Sequence, residues 1–263
     1  MSQNASTPQA APSSWPRSFS RKLMLLLASG FCLMTVVAAA AIYVGRHYFI
    51  HPKVEIDYAA YPVRGIDVSM HNGVIDFGRV KRSGMSFVIM KASEGMSYRD
   101  PRFAVNYADA RRSGLKVGAY HFFRKDVEGR AQADNFISTL GGRKFDLPLT
   151  VDVEDWGNAL FADNDTAFIR LKAMVYTLKN RGYSVMVYTN GKGYKKYVSR
   201  LNSHDYLWLC SFNSPDSLRR YGHHIQQFSH WGSVDGVKGD VDLDVFVGSR
   251  REWQQWVGTY AVQ

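Results

Sequence analysis

Apolar residues in this chain fall into one long run near the amino terminus and a series of short runs beyond residue 60. The long run, residues 23–44, holds 22 residues without a charge. At about 1.5 Å per residue a helix of that length crosses roughly 30 Å of hydrocarbon, so it is read as a transmembrane helix. The short runs are rich in β-branched and aromatic residues and are predicted as strands. They cover residues 63–69, 86–91, 115–123, a run opening at 147 that ends in Asp152-Val153-Glu154-Asp155, and then 184–189, 206–209, 224–228 and 241–246. Helices are expected between the earlier ones. Asp76 caps a helix that Gly84 ends, and Asp100-Pro101 opens another that stops at Gly114. Residues 128–140 offer Ala131, Phe136, Ile137 and Leu140 as an inner face, and 163–180 offer Phe168, Leu171, Met174, Val175 and Leu178 at helical spacing. Strands alternating with helices predict a mostly parallel sheet, and eight of them predict an α/β barrel. The last three strands leave no room for full helices between them. The expected architecture is therefore an irregular, flattened (β/α) TIM-like barrel behind one transmembrane helix.

Charge sharpens the amino-terminal reading. The net charge is +10, and Arg17, Arg21 and Lys22 stand before the apolar run while Arg46 and Lys53 follow it, with no acid before Glu55. The denser basic flank keeps the amino terminus in the cytoplasm and sends the rest across the membrane. Residues 1–22 are then a disordered cytoplasmic tail, 23–44 a signal anchor, 45–60 a linker and 61–263 the barrel domain. Ala38-Ala39-Ala40-Ala41 offers the small residues a signal peptidase accepts, so secretion after cleavage is the alternative.

Barrels of this kind place their chemistry at the carboxyl-terminal ends of the strands. There the polar residues gather: Asp67, Lys91 with Glu94, His121, Asp152 with Glu154, Tyr188, Gln226 with Gln227, and Asp242. Asp152 and Glu154 are two apart on a strand and share a face, with Cα atoms about 6–7 Å apart. Like charges that close raise the pKa of one of the two, so one acid stays protonated beside an ionised one. Asp155 falls on the other face and leaves the set. Each residue alone has an ordinary structural use, a cap for Asp67, a satisfied core group for His121, a turn for Asp242. Jointly, four carboxylates with aromatics suit glycosidic hydrolysis, where one acid protonates the leaving oxygen and flat rings stack on sugars. Trp156, Tyr188, Trp208, Phe122 and Trp231 are the candidate platforms.

Other chemistries fit less well. An apolar content of 46% supports a sizeable core, and mild basicity beyond the anchor suits an anionic polymer. No basic, aromatic-interleaved motif marks a nucleic-acid module. His223 and His224 are adjacent on a strand and point oppositely, which argues against a metal pair, and no nucleophile elbow, P-loop or dinucleotide glycine pattern occurs. No metal or cofactor is expected. Cys32 lies in the apolar run and Cys210 in the barrel, so no disulfide joins them, and Cys210 has no base beside it in sequence. Lys192, Lys195 and Lys196 with Tyr194 and Tyr197 read as a solvated basic face.

The ordered motifs Gly65-Ile66-Asp67-Val68-Ser69, residues 87–95, Gly118-Ala119-Tyr120-His121-Phe122, Asp152-Val153-Glu154 and residues 236–246 resemble the family 25 glycoside hydrolases, the Chalaropsis-type lysozymes, over residues 63–248. The resemblance implies cleavage of the β-1,4 bond from N-acetylmuramic acid to N-acetylglucosamine in peptidoglycan, without cofactor, by an enzyme of the bacterial inner membrane or beyond it. It matches Glu154 to the proton donor, Asp152 to the neighbouring catalytic carboxylate, and Asp67 and Asp242 to two further acids of the site. Lys91, Glu94, Tyr120, His121, Tyr188, Trp208 and Gln227 become the substrate-binding candidates. Two carboxylates on one strand need not flank a bond from both sides, so attack by the substrate's own acetamido oxygen suits them better than double displacement. In that scheme Glu154 is protonated and Asp152 is ionised against the acetamido group. His71-Asn72 and Cys210 depart from the common pattern and bear on subsite shape. The partners expected are peptidoglycan strands and the membrane. A catalytically silent, tethered peptidoglycan-binding protein is the alternative, and it has no need of the acid pair.

Overall fold

Why the apolar runs sort into two units is visible from what each can bury. A computed structural model of the chain describes residues 17–48, 54–158, 163–202 and 204–257. It divides into a unit ending at His51 and a second beginning at Pro52. The first contains one helix, α1 (Arg17–Tyr48), longer at both ends than the predicted 23–44. Its segment Arg21–Tyr43 has a mean hydropathy of 2.4 and buries none of its side chains, and it is long and apolar enough to cross a membrane by length and composition. Residues 1–16 of the expected tail, 49–53 of the expected linker and 258–263 lie outside the described residues.

The second unit is the barrel. Its strands are β1 (Arg64–Val68), β2 (Met85–Glu94), a short β3 (Tyr98–Arg99), β4 (Lys116–Phe122), β5 (Leu149–Asp152), β6 (Val185–Asn190), β7 (Tyr206–Cys210), β8 (Ile225–Gly232) and β9 (Val241–Phe246). From β1 through β2, β4, β5, β6 and β7 to β8 every pairing is parallel. β9 then pairs antiparallel with both β8 and β1 and closes the ring of eight strands, while β3 folds back on β2. The cause is connection length. A parallel step needs a crossover of a dozen or so residues. The segment 233–240 between β8 and β9 is too short for one, so β9 returns as a hairpin. Between β7 and β8 a single 3-10 helix, Pro215–Tyr221, makes the crossover.

The helices are α2 (Phe77–Arg82), α3 (Phe103–Arg112), α4 (Gly129–Leu140), α5 (Asn164–Asn180), α6 (Gly191–Lys196) and α7 (Arg250–Trp256). Asp76 and Asp163 cap α2 and α5 by accepting from the Arg79 and Thr166 amides. On α4 the buried face is Gln132, Ala133, Phe136 and Leu140; Ala131, predicted for it, lies at its margin. Gly129 is required there, since a Cβ would stand 1.8 Å from the Arg170 carbonyl of α5.

Because side chains alternate along each strand, one set faces the helices and the other fills the barrel. Ile66, Val88, Val117, Val151 and Val187 pack outward with Phe136, Leu171 and Met174. Inward, Phe87, Met186, Trp208, Ile225 and Phe246 form a floor that Trp253 of α7 completes. The Trp253 ring lies 5.1 Å from Phe87 and 5.2 Å from Phe246. Gly65 makes room for this floor, because a Cβ there would meet the Phe87 ring at 2.3 Å. Ile56 and Tyr61 are buried against Phe228 and Val245, so the end of the segment read as a linker packs on the barrel.

Candidate active site

At the other end of the barrel the inward positions turn from apolar to acidic. β1 brings Asp67, β5 brings Asp152 and, just past its end, Glu154, and β9 brings Asp242 and Asp244. Asp67, Asp152 and Asp244 are buried. Burial pushes Asp152 well above the usual carboxylate range, and the Glu154 charge adds to it while Lys91 opposes it. Burial also raises Glu154, against a hydrogen bond with Tyr188 that lowers it. Asp67 is raised by burial and then by Asp242 and Asp244. Asp67, Asp152, Glu154 and Asp244 thus favour keeping protons that exposed acids would lose.

Neutral groups hold the wall in place. The Tyr188 hydroxyl donates to Gln227 Oε1 at 2.7 Å, and Gln227 Nε2 donates to Asp67 Oδ2 at 2.7 Å. Trp208 Nε1 donates to Asp244 Oδ1 at 2.8 Å. Asp152 Oδ1 is buried with no hydrogen-bond partner among the described residues. Beyond the end of β5 the chain is fixed by side chains instead of a ladder. Thr189 Oγ1 donates to the Val153 carbonyl at 2.8 Å, and buried Asn158 donates to the Glu154 carbonyl at 3.0 Å. Asp155 points away to Lys125 and Lys196; burial raises it, but these two cations hold it below its ordinary value.

An inward acid pair past the fourth helix-linked strand, with further acids from the first and last strands, is a glycosidase arrangement. A family model described as glycosyl hydrolases family 25 matches residues 66–237. The chain belongs to glycoside hydrolase family 25. It is 32% identical over 184 residues to an autolytic lysozyme of Clostridium acetobutylicum, covering 70% of this chain and 56% of that one, so it spans little more than half of that relative. It is 32% identical over 239 residues to an N,O-diacetylmuramidase of Arthroderma benhamiae, covering 85% of this chain and 97% of that one. A family 25 glycosyl hydrolase from Bacillus anthracis superposes with a TM-score of 0.68 at 28% identity, covering 78% of this chain and 97% of that structure. The chain is thus a glycoside hydrolase with the family 25 barrel.

On that barrel Asp67, Asp152, Glu154 and Asp242 come together at one mouth, with Lys91 ion-paired to Glu94 at 2.7 Å beside them. Tyr120 lies inward, edge-on to Trp208 at 6.4 Å. Several expected contacts are corrected. His121 is fully buried between β4 and α4, its Nδ1 2.8 Å from Ser93 Oγ and its Nε2 3.2 Å from Gln132 Oε1. Burial drives its pKa down to about 3, so it is a neutral core group, displaced from the mouth because Tyr120 and Phe122 take the inward positions. Trp208 and Gln227 are each 2% exposed and orient Asp244, Asp67 and Tyr188 instead of presenting a face to glycan. Of the platforms, Trp156 is 82% exposed, whereas Tyr188 and Phe122 are largely covered. Trp253 plugs the floor of the barrel.

Two groups were missed. Asp244 stands two residues after Asp242, the same spacing that singled out Asp152 and Glu154, so the alternation rule could have found it. His230 could not be found that way. It lies on the extension of β8 past Phe228, where its Nδ1 is 2.9 Å from Asp242 Oδ1 and its Nε2 3.8 Å from Cys210 Sγ. Cys210 therefore has the base that the sequence did not reveal. Among the described residues no cluster of three or more His, Cys, Asp or Glu is arranged to hold a metal ion.

Proposed function

We propose that the chain is a muramidase that cleaves the β-1,4 bond between N-acetylmuramic acid and N-acetylglucosamine in peptidoglycan. The observation that carries this reading is the Asp152–Glu154 pair, enclosed at one barrel mouth with both acids raised. Glu154, the more open of the two, donates its proton to the leaving glycosidic oxygen. Asp152 receives the acetamido N–H of the sugar at its unpartnered Oδ1 and polarises that amide, so that the amide oxygen attacks the anomeric carbon. One bond to that carbon forms as the other breaks, and water, activated by Glu154 as base, then opens the cyclic intermediate.

The charge states follow from the same pair. Burial alone favours neutral Asp152, against the expectation that it is the ionised member. An amide N–H donated to Oδ1 stabilises the carboxylate and sends the shared proton to Glu154, so substrate binding arms the acid. Asp67, held by Gln227, and Asp242, held by His230, set the field of the wall. Helix α1 anchors the enzyme in the cytoplasmic membrane with the barrel outside it; the exposed apolar segment Arg21–Tyr43 supports this.

The test is to incubate the purified chain with peptidoglycan and identify the new reducing ends, beside Glu154→Gln. New N-acetylmuramic acid ends that vanish in the variant support the reading, and equal product from the variant removes Glu154 as the donor. A covalent glycosyl adduct on Asp152 in a mass spectrum would replace the acetamido route by double displacement. Fractionating cells that make the tagged chain distinguishes a retained anchor from a cleaved signal.

A further inference from the structure

The mouth carries one nucleophile that glycan cleavage does not use. Cys210 ends β7, and its half-buried sulfur faces His230 Nε2 at 3.8 Å. Asp242 Oδ1 holds the other ring nitrogen at 2.9 Å, which fixes the imidazole with one edge toward sulfur. The rings of Phe212, 5.2 Å away, and Trp231, 5.6 Å away, meet the imidazole edge-on and limit its rotation. A thiol, an imidazole and a carboxylate in series are the arrangement that converts a thiol into a thiolate. We propose that Cys210, His230 and Asp242 form a thiolate–imidazolium–carboxylate relay in the wall of the groove, a modification site for small electrophiles and peroxides whose occupation shuts down glycan cleavage. The second half of this proposal rests on the muramidase reading; the first half does not.

Three observations place the sulfur within reach of the reaction. Asp242 belongs to both the relay and the acid wall. A charge on Cys210 raises Asp152 and Tyr188, so the sulfur is electrically close to both. Asp152 Oδ1 is buried and unpartnered on the same wall. The hydrogen bonds to Asp242 and Cys210 push His230 up to about 10, which keeps it cationic over the pH range in which free thiols stay protonated. The charged and titratable groups facing it are Glu154 beyond β5, Cys210 from β7, and Asp242 and Asp244 from β9, while Asp152 from β5 and Tyr188 from β6 face Cys210.

With hydrogen peroxide the step balances. The thiolate attacks one peroxide oxygen, an S–O bond forms and the O–O bond breaks. The departing hydroxide takes the His230 proton and leaves as water; sulfur is oxidised by two electrons to the sulfenic acid and peroxide is reduced. The added oxygen and the neutral imidazole change the charge and shape of the wall beside Asp152 and Asp242.

The experiment uses the full chain with Cys32→Ser, which leaves Cys210 as the single thiol of a chain that has two. Iodoacetamide labelling is followed by mass spectrometry across pH, with free cysteine as reference. Labelling at pH 6 is expected to run about tenfold or more faster than the free thiol, and His230→Gln is expected to return it to the reference rate. A labelling curve for the parent chain that rises only near pH 8.5, as for an ordinary thiol, overturns the relay whether or not His230→Gln folds. Hydrogen peroxide is then expected to lower release of reducing ends at least about tenfold, with recovery on adding dithiothreitol, while Cys210→Ser stays active and insensitive. Complete oxidation of Cys210 without loss of glycan cleavage overturns the gating half. A chain that labels fast yet releases no reducing ends before treatment supports the relay and defeats the muramidase reading separately.

Discussion

Two acid pairs share one spacing and have opposite fates. On β5 and its extension Asp152 and Glu154 run toward the mouth, so the second acid is the more open. β9 runs the other way, so Asp242 is the open member and Asp244 the fully buried one. The deep acids differ in commitment as well. Asp244 accepts from Trp208 through Oδ1, although, like Asp152, it keeps one buried oxygen without a partner among the described residues. The open acids differ in the same sense: Asp242 is tied to His230, and Glu154 has a hydrogen bond with Tyr188 that lowers it against burial. Strand direction decides depth, and the neighbours decide whether an acid is free to react. On the proposed reading the β5 pair is left for chemistry and the β9 pair for support.

The largest effect that would sharpen this contrast is Glu154→Gln. A general acid contributes about 10²–10⁴ in rate, so cleavage should fall about a thousandfold, near 4 kcal/mol, with the melting temperature unchanged or higher because like-charge repulsion is relieved. Reducing-end assays and thermal melts read both. A melt that drops as far as the rate would break the contrast.

Asp244→Ala should act oppositely. It strands the buried Trp208 N–H, at a cost of about 1–3 kcal/mol in urea unfolding. A stable but inactive Asp244→Ala would move that acid into the chemistry.

The pH dependence of stability comes next. Asp67, Asp152 and Asp244 have folded pKa values above their unfolded ones. Each holds a proton that the unfolded chain releases, so its contribution is complete below the unfolded value, near pH 4, and is lost as pH rises through the raised value. His230 adds the same sign in a later window, from its unfolded value near 6.5 up to about 10. Melting temperature should therefore fall as pH rises from acid to neutral, and Asp152→Asn should flatten the early part of that fall. A melting temperature that climbs with pH over this range would contradict the raised acids.

The smallest effect is Tyr188→Phe. It removes the bond that lowers Glu154, so the donor keeps its proton to higher pH and the alkaline limb of the activity profile moves up. No movement of that limb would mean that Tyr188 acts only through Gln227.

Much of this was legible in sequence, for identifiable reasons. Strands such as 86–91 and 184–189 announce themselves through β-branched runs, and caps such as Asp76 and Asp163 through local hydrogen bonding. Which strand residues face inward is fixed by alternation, yet alternation must be anchored by one known residue. His121 was assigned to the mouth because a polar residue at a strand end attracts attention, although Tyr120 beside it holds the inward position. Trp208 and Gln227 hold Asp244 and Asp67, and no local pattern reveals those bonds because the partners are distant in the chain. The Cys210–His230 contact joins two strands and depends on the register between β7 and the extended end of β8, which no local pattern encodes. A short helix such as α7 gives no hint in the sequence that the Trp253 ring enters the barrel.

The antiparallel return of β9 also sets an order of events in time. β1 lies between β2 and β9, and the register Arg64 to Val245 joins nearly the first and last residues of the barrel. A chain emerging amino terminus first therefore exposes β1 with one edge unpaired and a floor without its tryptophan until the final strand and α7 have appeared. Such a high-contact-order closure is slow and comes last. Until that strand has appeared, the residues ahead of it stay open and threadable.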